Sequence, residues 1–338
     1  MNLKLIDAIA IAVLYEGYML YPYRPSSVKN RQRFNFGVLY PKLYCEALSA
    51  SDAWTMQTEC LLEGSSAGVE TAKVEIKVRF LKLVSRTSRD IAETLSVPWQ
   101  EAIECEVVIP PQNLDALTAT PLEWKFAFPA KQETELLRDE EGRLIRTIER
   151  NQESLQGIIE IRSTRAADDL FKLQVRVRNL TPFPSDASGT RRDRDSALMQ
   201  SLVSAHTLLG AVNAEFVSLL EPPENLKDLA AGCENIGAWP VLVGDQGQCD
   251  TMLASPIILY DYPQIAPESP GDLFDGTEID EILALRIMTM TDDEKREMRN
   301  TDERARKILE RTESLPMEHL AKLHGTLREL RSLKEEMP

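Results

Sequence analysis

Apolar and charged side chains alternate at every second position in several segments, and this limits what the chain can fold into more than any other feature. Val74, Ile76, Val78 and Phe80 alternate with Glu75, Lys77 and Arg79, as in a strand with one face in a core and the other in water. Burying those four side chains contributes about 6–12 kcal/mol before ordering entropy is subtracted. Ile103, Cys105, Val107 and Ile109 repeat the pattern against Glu104 and Glu106, and Trp124, Phe126 and Phe128 repeat it up to Pro129. Ile159 and Ile161 follow, then Leu173, Val175 and Val177 opposite Lys172, Gln174, Arg176 and Arg178. Polar connections separate these segments, which predicts a mostly antiparallel β core, with a sandwich as one possible arrangement.

Other stretches have the three- and four-residue spacing of helices. Leu3, Ile6, Ile9, Val13 and Leu14 predict a helix over residues 3–20, ended by Gly17, Pro22 and Pro25. After a Ser-, Asp-, Gly- and Arg-rich loop from Pro182 to Asp195, Leu198, Leu202, Leu209, Val212 and Phe216 predict a long central helix stopping before Pro222. His206 falls on its apolar stripe, where a hydrogen-bonded core histidine is a plainer role than a catalytic one. Lys131 to Ser154 is highly charged and reads as exposed pieces around a turn at Glu141-Gly142, while Trp239 to Val243 and Ile257 to Tyr260 read as short strands. Near the C-terminus, Thr277 is placed to cap a helix containing Ile279, Ile282, Leu283 and Ile287. Thr291 and Glu294 form a T-x-x-E capping box, and Leu320, Leu323, Leu327 and Leu330 stripe a last helix beginning at Ser314 or Leu315. The expectation is an α+β protein, with an N-terminal helix and arm over 1–50, a core over 51–262 and a helical appendage over 263–338.

Composition narrows the function. The net charge of -15 over 338 residues argues against a nucleic-acid partner, which calls for broad positive surface. The most apolar run, Leu5 to Leu14, is broken by Asp7 and followed by Glu16, well short of the roughly 20 apolar residues that span a bilayer. Neither membrane insertion nor a signal peptide is expected. Five widely spaced cysteines, Cys45, Cys60, Cys105, Cys233 and Cys249, form no C-x-x-C pair, which suits reduced thiols in the cytoplasm. Gly244 and Gly247 lack the lysine of a phosphate loop, and Asp272, Asp275, Glu278 and Asp280 do not have calcium-loop spacing. His319 and His324 are five apart, so a helix would turn them away from each other. No cofactor or metal is expected, and no residue pattern marks an enzyme.

The segment from Leu14 to Pro41, LYEGYMLYPYRPSSVKNRQRFNFGVLYP, holds five of the eight tyrosines together with Arg24, Lys29, Arg31 and Arg33. One reading is a structural arm whose rings pack on the core while its arginines stay solvated. The other is a partner surface, with Tyr21, Tyr23, Arg24, Arg31 and Arg33 engaging an acidic patch. Pro22 and Pro25 would pre-order such a loop, and rings with guanidiniums give large contact area at fixed geometry.

LYEGYMLYPYR from Leu14 to Arg24, WTMQTECL from Trp54 to Leu61, and APESPGDLFDGTEIDEILALRIMTMTDDEK from Ala266 to Lys295 together resemble uncharacterised accessory proteins encoded beside actinobacterial-type, high-affinity nickel–iron hydrogenases. The resemblance implies a non-enzymatic accessory or assembly role, with a hydrogenase subunit or another maturation protein as partner. The alternative is an enzyme of unknown class acting on the same target. The resemblance supplies no catalytic residue.

Overall fold

The computed structural model describes residues 3–16, 18, 33–48, 52–64, 71–90, 99–183, 194–264, 287–301 and 303–314. The described residues up to 264 form one compact unit and those from 287 onward a second. In the first, the alternating segments become two antiparallel sheets. One sheet has the order β10 (Ala214–Phe216), β1 (Thr55–Gly64), β8 (Leu170–Asn179), β7 (Leu155–Arg165) and β4 (Leu122–Phe128). The other runs β11 (Trp239–Leu242), β12 (Thr251–Ser255), β9 (Val203–Val212), β2 (Lys73–Asp90), β6 (Leu144–Gln152) and β5 (Lys131–Arg138). β3 (Trp99–Asn113) takes the opposite edge of β2. β2 is 18 residues long, so a single edge pairs with β9 from Lys73 to Leu81 and with β6 from Ser85 to Asp90.

Both sheets turn apolar side chains into one core. Cys60, Leu62, Leu173 and Val175 come from the five-stranded sheet, and Val74, Ile76, Val78 and Phe80 from the seven-stranded one. The same parity carries Lys82 inward, where its Nζ donates to the Pro129 carbonyl at 3.0 Å and burial lowers its pKa. Gly157 is needed where it stands, because a Cβ there would run into the Phe126 ring and the Arg178 carbonyl. Helix α1 (Leu3–Tyr15) packs Ile6, Ile9, Ala10 and Val13 against Leu208, Val241, Val243 and Leu253 of the seven-stranded sheet. Polar contacts fix its register. Asp7 accepts from Arg79 at 3.0 Å, Arg79 also donates to Glu106 at 2.6 Å, and the Tyr15 hydroxyl donates to Glu104 at 2.6 Å.

The expected long central helix is not there. Its residues form the short α4 (Arg194–Leu198), then β9 and β10. β9 is covered on both faces, with Leu208 beneath α1 and Ala205 and Leu209 in the main core. A strand buried on both sides loses its alternation, and its leucines then fall by chance at helical spacing. Asn213, at φ 56, makes the turn into β10, a conformation that asparagine tolerates better than most residues. Two further expectations change. Lys131 to Gln152 keeps its exposed β5 and its turn at Glu141-Gly142, but the two pieces pair as a hairpin, in which Asp139 Oδ1 accepts from the backbone N–H groups of Glu141 and Arg143. The strand expected at Ile257 to Tyr260 is instead β12, a few residues earlier.

Shorter helices α2 (Lys42–Leu48), α3 (Leu114–Ala119) and α5 (Lys227–Ala231) complete the first unit; the Asn113 side chain caps α3 by accepting from the Ala116 N–H. The second unit contains α6 (Asp292–Thr301) and α7 (Glu303–Glu313). The capping box forms as the spacing predicts. Thr291 N–H donates to Glu294 Oε2 at 2.9 Å, and Glu294 N–H donates to Thr291 Oγ1 at 3.3 Å. Glu313 then joins the two helices through Lys295 and Arg299. The helices expected around Ile282 and Leu323 lie outside the described residues.

Candidate functional site

Of the five residues expected to form a partner clamp, Tyr21, Tyr23, Arg24 and Arg31 lie outside the described residues. Arg33 is described, and it is only 4% exposed. Its guanidinium carbon sits 3.5 Å from the centroid of the Trp99 ring, 4.6 Å from Phe34 and 5.7 Å from Tyr18. Nη1 donates to the Tyr18 carbonyl at 3.0 Å and Nη2 to the Gln100 carbonyl at 2.7 Å. Placed in this way, Arg33 presents no guanidinium edge to a partner. The described tyrosines of the segment also pack internally. Tyr15 meets Tyr18 edge-on at 5.5 Å, and Tyr40 meets Tyr44 at 5.3 Å.

The arginine-rich surface that solvent does reach is the outer face of the five-stranded sheet. Alternation puts Lys172, Gln174, Arg176 and Arg178 of β8 on that face because Leu173, Val175 and Val177 occupy the core. Register aligns Lys125, Ile158, Arg178 and Thr55 in one row, and Glu123, Glu160, Arg176 and Gln57 in the next. One end of the face is covered, with Leu61 and Leu170 packing against Val217, Leu226 and Ala230. There Glu59, 6% exposed, accepts from Lys172 Nζ at 2.5 Å, Gln174 Nε2 at 2.7 Å and the Glu234 N–H at 2.8 Å. Among the described residues, the other end is open. Arg178 stands 5.7 Å and Lys42 Nζ 4.8 Å from the centroid of the Trp54 ring. Glu160 pairs with both Arg178, at 3.0 Å, and Arg176, at 3.9 Å, Arg176 also donates to Gln57 Oε1 at 2.9 Å, and Arg162 and Lys125 are exposed beside them. Among the described residues, Lys125, Arg162, Arg176 and Arg178 meet two carboxylates on this patch, Glu123 and Glu160, on a protein of net charge -15. The sequence carried the signal in the basic residues of β8, but a charged wet face reads first as plain solvation.

Burial disfavours the thiolate at four of the five cysteines. Burial pushes the Cys45 and Cys105 thiols up to about 11, raises Cys233, and holds Cys60 well above the ordinary thiol range. Protonated thiols are poor nucleophiles at neutral pH. Among the described residues, no group of three or more His, Cys, Asp or Glu side chains could hold a metal ion, and no helix is long and apolar enough to cross a membrane.

His206 is fully buried, its Nδ1 2.9 Å from the Ser204 carbonyl. Burial lowers its pKa from 6.5 to about 4, against the Ser204 carbonyl, which favours the cation; Arg79 lowers it further and Glu106 opposes. Between those pH values the unfolded chain binds a proton that the folded chain refuses, so stability falls as pH drops from about 6.5 to about 4. The expected loss is about 3 kcal/mol. Urea titrations at stepped pH should show that slope in the wild type and a flatter one in His206→Gln.

No family model matches the chain, and no curated protein matches it. Among solved structures, the Salmonella SPI-1 type III secretion injectisome secretin InvG (residues 176-end, open gate state) aligns at 10% identity with a TM-score of 0.12, covering 73% of this chain and 76% of that one. A likeness that slight carries no argument about fold or function.

Proposed function

We propose that the protein is a non-catalytic binding factor that docks an acidic surface of a partner protein on the open face around Trp54, Arg162, Arg176 and Arg178. The observation that carries this reading is the arginine–tryptophan cluster on an exposed sheet of a molecule with net charge -15. Arginine and tryptophan dominate the energetics of protein interfaces, and a local positive field on a negative molecule selects acidic partners and speeds their encounter. The resemblance to hydrogenase-associated accessory proteins names the partner class, a hydrogenase subunit or another maturation protein. On the sequence argument alone, Tyr21, Tyr23, Arg24 and Arg31 would add contacts of the same kind. All five cysteines are free, which fits a cytoplasmic setting.

Replacing Arg162 and Arg178 together with glutamate tests the reading. The partner that co-purifies with the tagged wild type from its own host should be lost, and the melting temperature should change by no more than about 4 °C. Wild-type association should weaken as salt shortens the Debye length below its value of about 8 Å at physiological ionic strength. An unchanged yield of partner with the double variant would remove the proposal.

A further inference from the structure

A second feature lies away from that face, within the seven-stranded sheet. Ser85 of β2 stands opposite Asn151 of β6, and Asn151 stands opposite Gln132 of β5. Cross-strand partners share one side of a sheet, so the three side chains form a single polar row. All three line a cavity of about 630 Å³ that is closed on another side by Met199 and Gln200, just past α4. This is an ordinary size for a ligand site.

Gln200 is the informative residue. It is 8% exposed. Its backbone is pinned at both ends, the N–H donating to the Ala197 carbonyl at 3.0 Å and the carbonyl accepting from Asn179 Nδ2 at 2.9 Å. The residue lines the cavity, and its side-chain oxygen is buried with no hydrogen-bond partner among the described residues. An orphaned buried acceptor costs about 1–3 kcal/mol, which a side-chain turn towards a donor in the cavity would relieve.

We infer that this cavity, with the free edge of β5, binds an extended peptide segment of another protein. A carboxamide carries the same donor and acceptor as a peptide group, so Gln132, Asn151, Gln152 and Gln200 can pair with a backbone without reading its sequence. A sugar ring would call for an aromatic face to stack on, and the described lining has none. The adjoining edge favours a peptide for a separate reason. β5 ends its sheet with no neighbour on its outer side among the described residues, and nearly every side chain along it is exposed. An added strand would extend the Ser85–Asn151–Gln132 row by one member while pairing main chain to main chain. The site is separate from the arginine face and stands or falls without it.

A phage-displayed library of random heptapeptides, selected on immobilised full-length protein, tests the inference. Peptides should be enriched on the wild type, and each should bind at least about tenfold more weakly to Gln200→Leu and to Gln132→Ala. Gln200→Leu should melt no lower than the wild type, since it removes the orphaned acceptor. Should that variant fail to fold, exposed Gln132→Ala alone decides. The Arg162→Glu/Arg178→Glu protein should bind the same peptides unchanged. Failure to enrich any peptide, or equal binding by wild type and both cavity variants, overturns the assignment.

Discussion

Arg33→Ala is expected to destabilise the folded chain by about 3–5 kcal/mol, because two carbonyls lose their donors and three rings lose their filling. For a unit of this size that is a fall in melting temperature on the order of 10 °C. The guanidinium lies nearly against the Trp99 ring, at 3.5 Å from its centroid, and bridges the carbonyls of Tyr18 and Gln100. It thereby ties the end of the N-terminal segment to the start of β3. Arg33→Lys should recover little of the loss, since an ammonium cannot stack flat on an indole while reaching two carbonyls. Urea unfolding followed by circular dichroism measures both variants. A loss under about 1 kcal/mol for Arg33→Ala would show that the cage contributes little to the fold. The result also bears on function. Reversing Arg24, Arg31 and Arg33 together would mix a folding defect with any binding defect, so Arg33 must be left intact when the arm is tested.

What was legible in the sequence depended on how many faces of each strand are buried. β2, β3, β7 and β8 each keep one wet face over part of their length, so Val74–Phe80 and Leu173–Val177 show strict alternation, and reading them as antiparallel strands holds. β9 has no wet face beside Leu208 and Leu209, and there the pattern points to a helix. The β5–β6 hairpin fails in the opposite way, since it is mostly wet on both faces and its charge density conceals a ladder held by backbone pairing. Local signals survived well, as the Thr291–Glu294 box shows, because a cap depends only on residues three apart. Sites depended on long-range register. The Ser85–Asn151–Gln132 row joins positions that no local window contains, and nothing near Arg33 in sequence points to Trp99.

Glu59 carries the second large expected effect. Its carboxylate is buried against Lys172, Gln174 and the backbone of Glu234, while its main chain exchanges hydrogen bonds with the Asn235 side chain. Burial alone would raise its pKa, but the Glu234 N–H, the Lys172 ammonium and the Gln174 amide outweigh it and hold the carboxyl below its ordinary value. Its stabilisation is therefore present above the unfolded-state pKa and is lost as pH falls through the lower folded-state value. Glu59→Ala removes the buried member of the pair and leaves the Glu234 N–H and the Gln174 amide without their acceptor, while Lys172 keeps the Gly232 carbonyl at 2.7 Å, which is expected to cost about 3 kcal/mol. Glu59→Gln keeps the shape but not the charge. It should cost less and should also remove this acid-side share of the pH dependence, leaving the His206 slope at higher pH in place. The loss should be local before it is global, because Glu59 anchors residues 234–236 across the sheet face that Lys172 shares. Hydrogen exchange at the Glu234 amide should quicken in both variants well before the β1–β8 ladder opens. Equal protection at Glu234 in wild type and Glu59→Ala would mean that the segment is held by the Gln57–Ile236 backbone bridge and not by the carboxylate.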